Sequence, residues 1–208
     1  MKDMKYILRN ALVLLILTVI VVGLSICIAF YFKYLMQPVH IKADTKFKEE
    51  DLEGFIGFED YVFVGTVKEH LGNFNDNSEI GIPYNKFKVT VDKNIKGNLK
   101  KDIEVLDLGG TTGIGAPVII EGKEPGKQLE VGKTYLLLGS VIHDKSIVIE
   151  MPKCKIELLN YSVDANTDEI NNLIKTYEEA YKNERKYERR RNKSKYDETK
   201  EEIKEIKK

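Results

Sequence analysis

Residues 11 to 32 read ALVLLILTVIVVGLSICIAFYF, a run of about 22 residues without a single charge. At roughly 1.5 Å per helical residue the run reaches about 33 Å, enough to cross a ~30 Å hydrocarbon core. Only a helix can satisfy its own backbone in that medium. The run therefore implies a membrane span, and it leaves any chemistry to the residues that follow.

The flanks fit an interface on both sides. Tyr6 precedes the run, and Phe30, Tyr31, Phe32 and Tyr34 crowd its far end, where amphipathic rings favour the headgroup level. Basic residues lie on both sides: Lys2, Lys5 and Arg9 before, Lys33, Lys42, Lys46 and Lys48 after. A short head with three basic residues has the form of an export signal, so residues 1–10 are expected inside and the C-terminal part outside the cytoplasmic membrane. Cleavage after Ala29 has small residues in its favour, Cys27 and Ala29, but the run is too long and lacks a polar end. Leu24-Ser25-Ile26-Cys27 resembles a lipidation box, yet Ile26 is too large before the cysteine and the chain stays apolar beyond it. An uncleaved single-span anchor is the expectation. Gly23 and Cys27 have the spacing of a close helix contact, which occurs by chance in many such helices.

Charge balances overall, with 33 basic and 33 acidic residues. Its distribution does not balance: residues 49–164 carry about 20 acidic and 13 basic groups, and residues 182–208 about 12 basic and 7 acidic. An acidic body with a basic tail disfavours nucleic acid as the partner, since phosphate binding needs positive charge on the body. Two cysteines, one of them in the apolar run, provide no disulfide framework. The soluble part must hold together by its core, and its length suffices for one core.

Residues 33–54 read as a polar juxtamembrane linker and 55–160 as a β domain. Residues 60–67 are β-branched and aromatic, with Gly65 suited to a bulge. Residues 71–83 (LGNFNDNSEIGIP) read as a loop. Residues 84–92 alternate, with Phe87, Val89 and Val91 on one face. Further strands are expected at 103–108, 117–121, 134–142, 146–150 and 154–158. Ile170, Leu173, Ile174, Tyr177 and Tyr181 then recur at helical spacing, with Asn166 and Glu169 as a capping box. Beyond Tyr181 the apolar stripe lapses, and the charged tail to residue 208 is expected as a fraying, solvated helix or disorder. The expected class is mainly β: a transmembrane helix, a small OB-like β-barrel, and an amphipathic then highly charged C-terminal helix.

The cadence Val62-Phe-Val-Gly-Thr-Val67, Tyr84…Phe87-Lys-Val-Thr-Val91, Ile95-Lys-Gly97, Ile103-Glu-Val105, Gly109-Gly110 and Leu129-x-x-Gly132-Lys-x-Tyr135-Leu-Leu137 resembles the OB-fold modules of netrin-like and metalloproteinase-inhibitor-like type in exported bacterial proteins. The likeness covers about residues 58–142. It implies a five-stranded Greek-key barrel and a binding role. It does not bring inhibition with it, because that family's inhibitors use an N-terminal cysteine at the barrel edge and none stands near Asp60.

Several motifs fail on chemistry. Gly132-Lys133-Thr134 lacks the phosphate-loop glycine at position 127, which is Lys127, and leads into a strand. Residues 92–103 mimic a calcium loop but place Lys96 and Ile103 where ligands belong. His40, His70 and His143 have no metal-ligand spacing, so no metal and no cofactor is expected. Cys154 between Lys153 and Lys155 has a thiolate-favouring neighbourhood, but a small residue in an edge strand is the reading preferred here. No catalytic residue is expected. Gly110, Thr111, Thr112, Gly113 and Gly115 form the candidate ligand loop, whose small residues let a ligand approach backbone amides. Arg185, Lys186, Arg189, Arg190 and Arg191 are the candidate contacts to an anionic surface. The functional expectation is an anchored extracytoplasmic binding or complex-forming module, with an envelope protein or anionic wall polymer as partner and no oligomeric state specified. A cytoplasmic nucleic-acid-binding module and a membrane-tethered enzyme are the alternatives.

Overall fold

The computed structural model describes residues 2–42, 51–75, 83–111, 116–121, 128–142, 145–164, 167–188 and 192–199. Helix α1 (Lys2–Leu35) contains one helix long and apolar enough to cross a membrane, Asn10–Leu35, with none of its apolar stretch buried against the rest of the protein. Thr18 and Ser25, its hydroxyl residues, donate to the carbonyls of Leu14 and Val21 four positions back, so their polar groups are satisfied within the helix.

Strand β1 (Val39–Lys42) follows after three residues, and helix α2 (Leu52–Phe58) begins at Asp51, whose side chain accepts from the Gly54 amide at 3.0 Å. Both lie in the stretch expected to be linker. Val39 and Ile41 give β1 its β-branched character, and a seven-residue helix behind a cap, about two turns, has too few residues for periodicity to reveal.

The β domain comprises β2 (Tyr61–Asn75), β3 (Pro83–Lys96), β4 (Asp102–Leu108), β5 (Gly110–Thr111), β6 (Pro117–Glu121), β7 (Thr134–Val141), β8 (Ile147–Ile149) and β9 (Lys155–Glu157). Five strands pair in a ring: β2 with β3, β3 with β4, β4 with β8 in parallel, β8 with β7, and β7 back to β2. Along β7, β8 covers Ser140 and Val141 while β9 covers Tyr135 to Leu137. The 3-10 turn Pro152–Cys154 interrupts what would otherwise be one strand along that edge. A second sheet, in the order β1-β6-β5, stands apart, with β1 parallel to β6.

Alternation decides which face is core. Phe87, Val89 and Val91 are buried as their spacing predicts, with Val67, Ile103 and Val105 beside them, and Leu136, Leu137 and Leu138 are fully enclosed. Each such side chain contributes about 1.5–3 kcal/mol by leaving water. The register shift at Val64/Gly65 is the bulge expected there. The loop expected from residue 71 starts later, since β2 stays paired with β3 as far as Asn75 and Pro83.

Helix α3 (Asp168–Lys182) is capped by Thr167 rather than Asn166, which lies outside the described residues, and it buries Ile170, Ile174, Tyr177 and Ala180. Helices make up 34% of the described structure against about 38% strand, so the chain is mixed and not mainly β. α1 accounts for most of that helical share, at 34 residues.

Past Asn183 the described residues are not helical, contrary to the expected charged helix. They form an extended strap across the end of the ring where β3 finishes. The Arg185 amide donates to the Glu53 carbonyl, Asp197 bridges Leu99, and the Ser194 amide donates to the Tyr61 hydroxyl at 2.9 Å. That hydroxyl in turn donates to Asp197 Oδ2 at 2.6 Å, and burial, reinforced by this bond, raises its pKa well above the usual tyrosine value. Gly97, at φ 85°, lets the Tyr61 ring lie on the turn, where a Cβ would stand 2.4 Å from Cδ1. Such contacts are polar and individual, so they leave no period in the sequence.

Beneath the strap Lys96 is 1% exposed. Its Nζ lies 2.7 Å from Glu184 Oε2 and donates to the Ile56 carbonyl at 2.5 Å, one of the last carbonyls of α2. Removing one partner strands a buried charge. Glu184→Gln should therefore destabilise the detergent-solubilised chain by about 3 kcal/mol in urea unfolding, and Lys96→Met combined with it should recover part of that loss.

Candidate functional site

At the opposite end of the ring the core face turns polar. Asn73, Asn85 and Asp107 are register partners on β2, β3 and β4, one row beyond Phe87 and Val105. Asn85 and Asp107 share the inward parity of Phe87 and Val105. The register shift at His70/Gly72, with Gly72 in the left-handed region, brings His70 and Asn73 to the same side despite their odd separation. The His70 ring lies 4.9 Å from that of Phe87, and its Nε2 is 3.1 Å from Asn85 Oδ1.

Asp107 is fully enclosed. Its Oδ1 takes the Lys155 ammonium at 2.5 Å, and its Oδ2 accepts from the Leu129 amide at 2.9 Å. Burial pushes its carboxyl above the usual range, opposed by the charge and hydrogen bond of Lys155 and by the Leu129 amide. Asn85 is 4% exposed, and its Nδ2 has no hydrogen-bond partner among the described residues. That orphan donor is costly unless something accepts from it.

Gly110 closes over this row. At φ 113° its backbone lies so near that a Cβ would meet Asn73 Oδ1 and both Asn85 amide atoms at 3.3 Å. Asn73 Nδ2 donates to Thr111 Oγ1 at 2.5 Å. Gly110 of the candidate ligand loop is thus brought against the buried Asn85 amide and Thr111 against the exposed Asn73 amide, while Thr112, Gly113 and Gly115 lie outside the described residues. Asn85 and Asp107 were missed at the sequence level. Their signal was a polar residue at the inward parity of an otherwise apolar strand.

The basic candidates go elsewhere. Arg185 makes a two-pronged pair with Asp51, 2.7 and 3.1 Å, at the start of α2. The Asp51 carboxyl is held below its usual range by the Gly54 amide and by Arg185. Arg185 therefore fastens the strap to α2. Lys186 is exposed nearby in sequence, and Arg189, Arg190 and Arg191 lie outside the described residues. The structure does not bring Arg185 to the glycine corner, because that corner is at the far end of the ring.

Cys154 sits in the 3-10 turn and not in an edge strand. Burial first, then the charge of Glu59, pushes its thiol well above the usual value, with Lys153 only weakly opposing. The two flanking lysines do not activate it: Lys153 covers the Phe55 ring at 4.4 Å and Lys155 serves Asp107. Among the described residues no three His, Cys, Asp or Glu side chains converge as a metal group would need. The polar row holds one buried donor without a partner among the described residues, beside a compensated carboxylate and beneath Gly110, with the exposed Asn73 and half-buried Thr111 at its rim.

No family model matches this chain, and no curated protein matches it.

Two outcomes follow from these geometries. In Lys155→Met the Asp107 charge loses its counter-ion, so its folded pKa moves further above the unfolded value. The penalty is then full at pH above the folded pKa and vanishes as pH falls toward the unfolded one. Urea titrations should show a loss of about 3 kcal/mol at neutral pH that shrinks on acidification. In a Cys27→Ser background, Cys154 should resist a thiol-reactive disulfide reagent while folded and react fully in denaturant.

Proposed function

We propose that this is a single-pass anchored protein that holds an extracytoplasmic, OB-like β-barrel at the membrane as a binding or complex-forming module. The observation that carries the reading is the junction between α1 and the β domain. An exposed apolar helix of spanning length runs, after three residues, into a strand that pairs with β6. The barrel part is supported by the ring of pairings β2-β3-β4-β8-β7-β2, with β4 and β8 parallel, which is the connectivity of a five-stranded Greek-key barrel. It also agrees with the netrin-like resemblance of residues 58–142.

A binding role is favoured over catalysis by the kind of groups at the glycine corner. The groups that reach its surface, the Asn73 amide, the Thr111 hydroxyl and the glycine backbone, recognise ligands by hydrogen bonds. The partner proposed is an envelope protein or a wall polymer carrying hydrogen-bond acceptors. Placement outside is favoured by the form of the ten-residue head, which carries Lys2, Lys5 and Arg9 as an export signal does, although basic residues also follow the apolar run.

Protease treatment of intact cells tests the placement. The β domain should be degraded from outside, leaving an N-terminal fragment. Protection of the domain until the cells are lysed would put it in the cytoplasm and defeat the reading.

A further inference from the structure

We infer that the β1-β6-β5 sheet rests on the lipid headgroup layer of the membrane that α1 crosses, so that the Asn85–Asp107 end of the strand ring faces the bilayer. This rests on the anchored reading above and adds a defined orientation to it.

Chain length sets the limit. Asn10–Leu35 has 26 residues, about 39 Å of helix against a hydrocarbon core of ~30 Å. Its C-terminal turn therefore already occupies the headgroup layer. Only Met36, Gln37 and Pro38 separate Leu35 from Val39, and the first two still bond back into the helix, Met36 to Phe32 and Gln37 to Tyr34. At about 3.5 Å per residue, Val39 stands within about 14 Å of Leu35. Val39 pairs with Val118, and Val118 with Gly110. Two strand spacings of about 4.8 Å bring Gly110 within roughly 24 Å of the helix end.

The direction follows from the register. Gly109 donates to the Pro83 carbonyl at 3.1 Å, so the start of β3 lies at the same end as Gly110. Lys96 and the strap are at the other end of this fourteen-residue strand. The glycine corner is thus the end nearest the membrane, and the strap the farthest.

The surface suits a headgroup layer. Met36, Val39 and Ile119 are 48%, 44% and 41% exposed along the path from helix to sheet. They follow Phe30, Tyr31, Phe32 and Tyr34, which are also exposed and form the interfacial aromatic edge of the span. Val39 and Ile119 stand in successive register rows and so on opposite faces of the sheet, which puts an exposed apolar group on each side of it, as suits a sheet that meets the headgroup layer edge-on.

The chain contains no tryptophan, so single-tryptophan variants report cleanly. Full-length Val22→Trp, Ile119→Trp and Asn98→Trp would be reconstituted in phosphatidylcholine vesicles. The vesicles carry nitroxide either on the headgroup or deep in the acyl chain. Val22 reports the span, Ile119 the sheet, and Asn98 the distal turn near the strap. The expected result is deep-label quenching for Val22→Trp and headgroup-label quenching of Ile119→Trp several-fold above that of Asn98→Trp. Thr111→Trp serves as a second sheet reporter if circular dichroism shows that Ile119→Trp is unfolded. Equal quenching of the sheet reporter and Asn98→Trp, with Val22→Trp still quenched, would overturn the orientation while leaving the anchor intact. A sheet reporter shielded from aqueous iodide yet untouched by lipid nitroxide would also overturn it, in favour of a sheet-to-sheet pair. Loss of quenching at Val22→Trp would instead defeat the anchored reading itself.

Discussion

A buried ammonium group organises one end of this molecule. Lys96 has left water almost completely, and a lone charge in that position would cost several kcal/mol. Its compensation comes from two places distant in sequence, the Ile56 carbonyl at the end of α2 and the Glu184 carboxylate beyond α3. Strand, helix and strap must therefore all be in place together. The strap's other contacts, from Arg185 on Asp51 to Asp197 on Tyr61, extend the same arrangement across the end of the ring. Hydrophobic burial supplies the bulk of the stability, while this charge dictates which segments meet.

The other end has the opposite character. There the inward rows change from Val and Phe to Asn and Asp, and the chain crosses above them at Gly110 with no side chain of its own. Asp107 is fully compensated by Lys155 and Leu129, whereas Asn85 keeps a donor in reserve. A closed, charge-locked end and a polar, incompletely satisfied end make the domain directional. The inferred orientation makes use of that direction, with the locked end away from α1 and the polar end toward it.

The long apolar helix, the alternating strand 84–92, the continuously apolar strand 134–142, a bulge in the ladder opposite Gly65 and the buried stripe of α3 were all legible, because each follows from a period or a composition. Phe87, Val89 and Val91 could only face one way together. What was not legible depends on single contacts. Asp51 capping α2 and Tyr61 anchoring Asp197 leave no repeat to detect. The strap was misread for the same reason, since Arg185 and Glu184 look like solvated helix charges until the partners across the fold are known. The glycine corner was half legible: its small residues pointed to close backbone approach, but not to Asn85 beneath it. That asparagine sat in plain alternation with Phe87 and was passed over because polar residues are expected to face water.

The contact between Tyr61 and Asp197 joins positions 136 apart, and Val39 pairs with Val118 on a strand far behind it in the chain. A nascent chain emerging N-terminus first has its apolar helix at once, but neither of these partners. β2, β3 and β4 can pair with one another early, whereas β1 waits for β6 and the ring stays uncapped until the strap is made. During that interval the Lys96 charge remains hydrated and the fold incomplete. Closure thus waits for the segment that carries Glu184 to Asp197, so that a product truncated before it would keep the apolar helix and the paired strands yet never acquire its closed end.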